Sequence, residues 1–136
     1  MSVPSPVAAL ARVMLALMFV MAGASKFANL EGTAGYIASG GLPMPAVLAV
    51  LTAALELLGG LALALGFQAR FAALALAVFT VVASLLFHKF WAVPAEQVMM
   101  QKMSFFKNIA IAGGLYAFAA FGPGAWSVDA KTGNAA

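Results

Sequence analysis

The sequence contains no cysteine and one histidine, His88, and among its 136 residues only seven are basic and four acidic. Without cysteine the chain forms no disulfide, runs no thiol–disulfide exchange and offers no thiolate to a metal. A single histidine excludes a bis-histidine haem held within one chain. The four carboxylates and one imidazole show no metal-ligand spacing, so no metal site is assigned. Charged residues make up 8% of the chain, against roughly 25% in soluble domains. The net charge is +3, but the basic residues are scattered singly, with no run or stripe of the kind that tracks phosphates. Nucleic acid is therefore not an expected partner.

Hydrophobic residues account for 65% of the chain, and the mean hydropathy is +1.04. In water such a chain has too little polar surface to cover itself; in lipid an apolar exterior costs nothing. Four apolar stretches appear, Val7–Ala24, Pro45–Phe67, Phe71–Phe87 and Phe105–Phe121, each near the roughly 17–25 residues that cross a bilayer. The expected fold is all-α, an integral membrane four-helix bundle. It forms one transmembrane domain over 1–136, with helices at about 7–25, 45–67, 70–88 and 104–121. Residues 25–44 hold Gly32, Gly35, Gly40, Gly41 and Pro43 and read as a turn-rich re-entrant or surface segment. Residues 88–104 read as an amphipathic stretch at the interface, and Trp91 and Trp126 mark the aromatic belts. A cleaved signal peptide ending near Ala22-Gly23-Ala24 is the rival reading of the N-terminus.

Helical periodicity argues against that rival. At about 100° per residue, Arg12, Ala16, Phe19, Gly23 and Lys26 share one face, opposite Met14, Leu17, Met18 and Met21, a stripe a cleaved signal has no reason to keep. On the second helix Ala49, Thr52, Glu56, Gly60 and Leu63 align, and on the third Arg70, Ala73, Ala77, Val81, Ser84 and His88. On the fourth, Lys107, Ile111, Gly114, Phe118 and Phe121 align, with Asn108 at the flank. Small residues let backbones approach in lipid and ionisable groups turn inward to find partners, so the four stripes are expected to meet at the bundle axis. Arg12 and Glu56 differ in depth by roughly 8 Å on a rise of about 1.5 Å per residue, which makes them the expected ion pair. Lys26, His88, Lys107 and Asn108 gather at the other end.

These residues, taken in order, resemble the DoxX family. The resemblance is carried by Arg12 and Phe19–Lys26 (FVMAGASK), Gly40-Gly41-Leu42-Pro43, and Glu56-Leu57-Leu58-Gly59-Gly60 with Gly66. It continues through Arg70, His88, Lys107-Asn108, Gly113-Gly114 and the closing Gly122–Asp129. It covers nearly the whole chain and implies a small four-helix protein of the bacterial inner membrane. The family is similar to the small DoxD-type subunit of thiosulfate:quinone oxidoreductase, which points to a subunit or accessory protein of a membrane redox system handling quinone or a small oxidisable substrate.

For that role Glu56 and His88 are the candidate catalytic groups, a proton-accepting carboxylate and a hydrogen-bond donor or proton shuttle. Arg12, Lys107, Asn108 and Lys26 are the candidate ligand contacts. Each has a plainer explanation. Glu56 with Arg12 serves equally as a register-fixing ion pair; His88 suits loop carbonyls or headgroups; lysines snorkel to the interface. Asp129, returning from the tail, competes as a counter-ion for the basic groups. With no thiolate, haem pair or nucleotide motif, electrons pass through this chain only on a bound organic molecule such as quinone. Any redox role then needs a protein partner that holds the other centre. A non-enzymatic scaffold or assembly factor, homo-oligomeric or bound to another protein, and a small carrier are the alternatives.

Overall fold

Proline and glycine set the limits of each helix. In the computed structural model, which describes residues 4–134, helix α1 (Ser5–Ala28) starts behind Pro4 with a second proline in its first turn. There the missing N–H is one the helix leaves unpaired anyway. It stops at Asn29, whose side chain accepts from Gly32 N at 3.0 Å and so caps the next helix, α2 (Leu30–Ser39). Gly40 and Gly41, the latter at φ 79°, end α2. Helix α3 (Pro45–Leu65) follows, closed by Gly66 at φ 70°, a left-handed cap only glycine adopts freely. Helix α4 (Ala69–Phe87) ends at His88, a short 3-10 turn spans Phe90–Ala92, and α5 (Ala95–Phe121) runs behind Pro94. The chain finishes with α6 (Val128–Thr132), whose cap Ser127 accepts from Ala130 N at 3.1 Å. The ends of the expected 1–136 domain, residues 1–3 and 135–136, lie outside the described residues.

The chain is a helical membrane bundle. Four helices are long and apolar enough to span, and they are α1, α3, α4 continued to Ala92, and α5. Helix α1 lies along α3, α4 along α5, and α3 joins the two pairs. A core of Ala16, Phe19, Leu63, Ala73, Leu76, Ala77 and Leu115 is sealed from outside. The faces expected to meet lipid do so: Met14, Leu17 and Met21 on α1 and Leu51, Leu58 and Leu65 on α3 are exposed. Lipid tails are as apolar as leucine, so burial of aliphatics gives helices no reason to associate in a bilayer; close backbone approach does. A Cβ on Gly23 would stand 2.5 Å from Leu57 N and 2.8 Å from Ala53 O, and one on Gly60 would stand 3.0 Å from Val20 N. These two glycines fix the register of α1 on α3.

Three expectations need correction. The segment 25–44 is no turn-rich stretch: α2 is a helix, because its Asn29 cap and the burial of Ile37 outweigh the roughly 1 kcal/mol that each glycine costs a helix. The fourth helix begins at Ala95, not near 104, since Pro94 and Glu96 supply a start signal within the interfacial stretch. Its inward face carries Asn108, Ala112 and Leu115 beside Ile111 and Phe118, so the middle of the expected stripe packs inward while its ends, Lys107 and Phe121, face out. Phe121 is among the most exposed side chains of the chain at 83%.

Candidate functional site

Charged and polar side chains occupy both ends of the bundle, and the two ends are built differently. Where α1 begins, Arg12 is 3% exposed. Its Nε donates to Ala64 O at 3.3 Å, one terminal nitrogen to Pro123 O and the other to Trp126 O at 2.8 Å. The guanidinium thereby ties α1 to the end of α3 and to the segment after α5. That segment returns the favour to α4: the Asp129 carboxylate accepts from Gln68 N and Ala69 N, both at 2.8 Å, where the unpaired N–H groups of a helix start favour an anion. Arg70 donates to the carbonyls of Ala119 at 3.1 Å and Ala120 at 2.6 Å, closing the C-terminal turn of α5.

At the other end Lys26 Nζ lies 2.7 Å from Glu56 Oε1. The Glu56 side chain is 5% exposed and that of Lys26 31%, so the ammonium forms the mouth of the site and the carboxylate its floor. Isolated charges near the bilayer centre cost roughly 2.5–3.5 kcal/mol each by insertion scales, and pairing removes most of the cost from both. Beside the pair a cleft of about 230 Å³ opens, walled by α1, α2, α3, α4 and α5. His88, Asn108, Thr33, Thr52 and Thr80 give it polar lining; Phe19, Ile37, Phe79 and Phe87 give it apolar walls. His88 Nδ1 stands 2.8 Å from Gln101 Oε1 on α5. Tyr36 of α2 stacks on Phe87 of α4 with ring centroids 4.9 Å apart, so α2 roofs one side of the opening.

The expected convergence of Arg12, Glu56, His88 and Lys107 does not occur, and the expected Arg12–Glu56 pair is replaced by Lys26–Glu56. The register explains this. Gly23 packs between Ala53 and Leu57, and Gly60 on Phe19 and Val20, which sets Glu56 level with Gly23. Lys26 is then about 5 Å away along the axis and Arg12 about 16 Å. Lys107 is exposed on the outer face of α5 and takes no part in the cleft, whereas Glu56, His88, Lys26 and Asn108 line it. Sequence reasoning missed Gln101, Tyr36 and Thr33, the latter two because α2 was not expected to be a helix. Gln101 sits seven residues before Asn108, two helical turns along one face, which is the signal that marks it.

The DoxX family model matches residues 7–89, a span that includes Lys26, Glu56 and His88 and stops before α5. The chain is 32% identical over 122 residues to the inner membrane protein YphA of Escherichia coli, covering 90% of this chain and 87% of YphA. To the inner membrane protein YqjF of the same organism it is 37% identical over 119 residues, covering 88% and 86%. With a Surfeit locus protein 4 homolog of Schizosaccharomyces pombe it shares 38% identity over 69 residues, 49% of this chain and 23% of that protein. No solved structure matches.

Proposed function

The chain belongs to the DoxX family and is an integral protein of the bacterial inner membrane, and from that premise we propose that its cleft binds the ring of a quinone-class amphiphile. In this reading the protein is a subunit or accessory protein of a membrane redox system, and a partner protein carries the other redox centre. One observation carries it: a buried ion pair, an imidazole and an amide share a single cleft within the spanning bundle. Ionisable groups placed there are expensive and mark ligand or ion pathways more often than they mark packing.

Size and polarity support the same class of guest. A cavity of roughly 150 Å³ is enough for benzene, so about 230 Å³ accommodates one substituted six-membered ring. The aromatic walls suit the faces of such a ring, and Lys26, Asn108 and His88 suit its oxygen substituents. A long apolar tail needs no cavity, because it lies in the bilayer against exposed aliphatic faces such as Met18.

Native mass spectrometry from mild detergent tests the reading. Protein that carries a quinone-sized adduct, lost in His88→Ala, supports it; protein that takes up no added short-chain quinone under any loading condition removes it. A scaffold without chemistry is the second reading, favoured by Met99, Met100 and Met103, exposed by 76, 63 and 68% on the first half of α5. Methionine-rich faces adapt to partner surfaces. On that reading His88→Ala leaves every interaction of the protein intact.

A further inference from the structure

We propose that the cleft selects the reduced, hydroxyl-bearing form of its guest over the oxidised, carbonyl-bearing form, because Gln101 holds His88 in the tautomer whose free nitrogen accepts a hydrogen bond. This rests on the reading of the cleft as a quinone-class site and adds the redox state that it prefers.

The inference begins with a single contact. His88 Nδ1 and Gln101 Oε1 are 2.8 Å apart. A carboxamide oxygen only accepts, so the hydrogen in that bond belongs to the ring: Nδ1 is protonated. In a neutral imidazole the other nitrogen is then a bare lone pair. Nε2 has no hydrogen-bond partner among the described residues, and His88 lines the cleft. The imidazole therefore offers the guest an acceptor, the reverse of the donor role that a histidine beside a carbonyl would play.

The other groups agree. Glu56 gives one oxygen to Lys26 at 2.7 Å, and a carboxylate has about four lone-pair sites, so acceptor capacity remains after the ion pair forms. The cleft thus presents two acceptors, Glu56 and His88, together with the donors Lys26 and Asn108. A hydroxyl both donates and accepts, and so satisfies either kind. A quinone carbonyl only accepts. It meets the donors and leaves the imidazole lone pair facing an oxygen of the same sign, a desolvated acceptor with nothing to receive. Sites built to bond a substrate hydroxyl discriminate against analogues lacking it for this reason. One unmade bond of this kind corresponds to about a tenfold difference in affinity.

Because His88 is the single histidine of the chain, the tautomer is open to direct observation. Protein labelled with ¹⁵N-histidine and placed in lipid nanodiscs gives one imidazole spectrum. At a pH where the ring is neutral, a protonated Nδ1 and an unprotonated Nε2 are expected, and a protonated Nε2 overturns the proposal with no reference to any ligand. In a companion titration a short-chain ubiquinol is expected to bind about tenfold more tightly than its quinone. Gln101→Met, which frees the ring to take the other tautomer, is expected to shrink that preference to within about threefold. Equal binding of both forms to the unmodified protein overturns the selectivity while leaving the quinone-class site standing. Binding of neither removes both.

Discussion

The two ends of the bundle handle buried charge in opposite ways. Around Arg12 the charged side chains are answered by backbone: Arg12 by three carbonyls, Arg70 by two, and Asp129 by two N–H groups. Around Glu56 they are answered by other side chains, Lys26 for the carboxylate and Gln101 for the imidazole. The backbone partners belong to α3, to the start of α4, to the end of α5 and to the segment after it, so the Arg12 end acts as a clamp between α1, α3, α4 and the C-terminal segment. Side-chain partners rotate, keep unused lone pairs and hydrogens, and here enclose a cleft. Buried charge in this protein thus has two distinct kinds of partner, backbone at one end and side chains at the other.

The sharpest way to break this distinction is at Arg12. Arg12→Leu leaves the carbonyls of Ala64, Pro123 and Trp126 without a donor in a setting that supplies little water. Each buried carbonyl left without its donor costs about 1–3 kcal/mol, and three are affected, so a large fall in the unfolding midpoint in detergent is expected. Ligand affinity in the fraction that remains folded should be unchanged. A variant of normal stability that no longer binds ligand would place Arg12 in the working site and erase the contrast between the two ends.

A slightly smaller effect is expected at the other end, with a different signature. Glu56→Gln takes the carboxylate from the partly exposed Lys26 ammonium and is expected to destabilise by about 1.5–3 kcal/mol, the range for a hydrogen bond to a charged group. Lys26→Met combined with Glu56→Leu removes both charges, and replacement of a buried pair by apolar groups of similar size is often close to neutral. The double variant should therefore recover stability to within about 1 kcal/mol of the unmodified protein. Its affinity for a short-chain quinone or quinol should still fall at least about tenfold. Recovery of both stability and affinity would make the pair a simple register pin and reassign the cleft to packing.

Much of this was legible in the order of residues, and the failures share a cause. The inward stripe on α1 and its methionine-rich outer side follow from a 3.6-residue period alone, as do Ala49, Glu56, Gly60 and Leu63 on α3. Such periodicity tells which way a side chain points but not how far one helix slides along another. Two glycines settle the slide, and the pairing of Glu56 with Lys26 rather than Arg12 depends on it. The same limit hid the partner of Arg12: three carbonyls carry no sequence signature, whereas a carboxylate does. Helix α2 escaped because glycine is read as a breaker, while its capping asparagine and its burial of Ile37 act only once the helix is docked.

Asp129 offers a gentler probe of the Arg12 end. Its carboxylate supplies α4 with the cap that Gln68, at φ 46° and with no capping side chain of its own, does not provide. Asp129→Ala is expected to cost about 1–2 kcal/mol, the usual range for a lost helix cap. The effect should be local: faster hydrogen exchange at the amides of Gln68 and Ala69, with the Lys26–Glu56 cleft and its affinity untouched. Exchange that rises equally in α1 would mean that the clamp unfastens as one unit.

The smallest effect belongs to Lys107, and it tests the comparison from outside. Lys107 belongs to neither end: its neighbour Asn108 faces the cleft, while Lys107 itself is exposed on α5. From Lys107 to Phe121 the helix rises about 21 Å, so on a hydrocarbon core of about 30 Å this lysine sits close enough to one boundary for its four-carbon stem to carry the ammonium into the headgroups. Lys107→Ala removes that charge without stranding a partner. Stability is expected to stay within about 0.5 kcal/mol, as for surface substitutions generally, and quinone or quinol affinity should not move. Asn108→Ala, one residue on, is the paired control and should weaken binding, since its amide is part of the lining. If Lys107→Ala weakened binding and Asn108→Ala did not, Lys107 rather than Asn108 would line the cleft and the contrast between these two neighbours would be wrong.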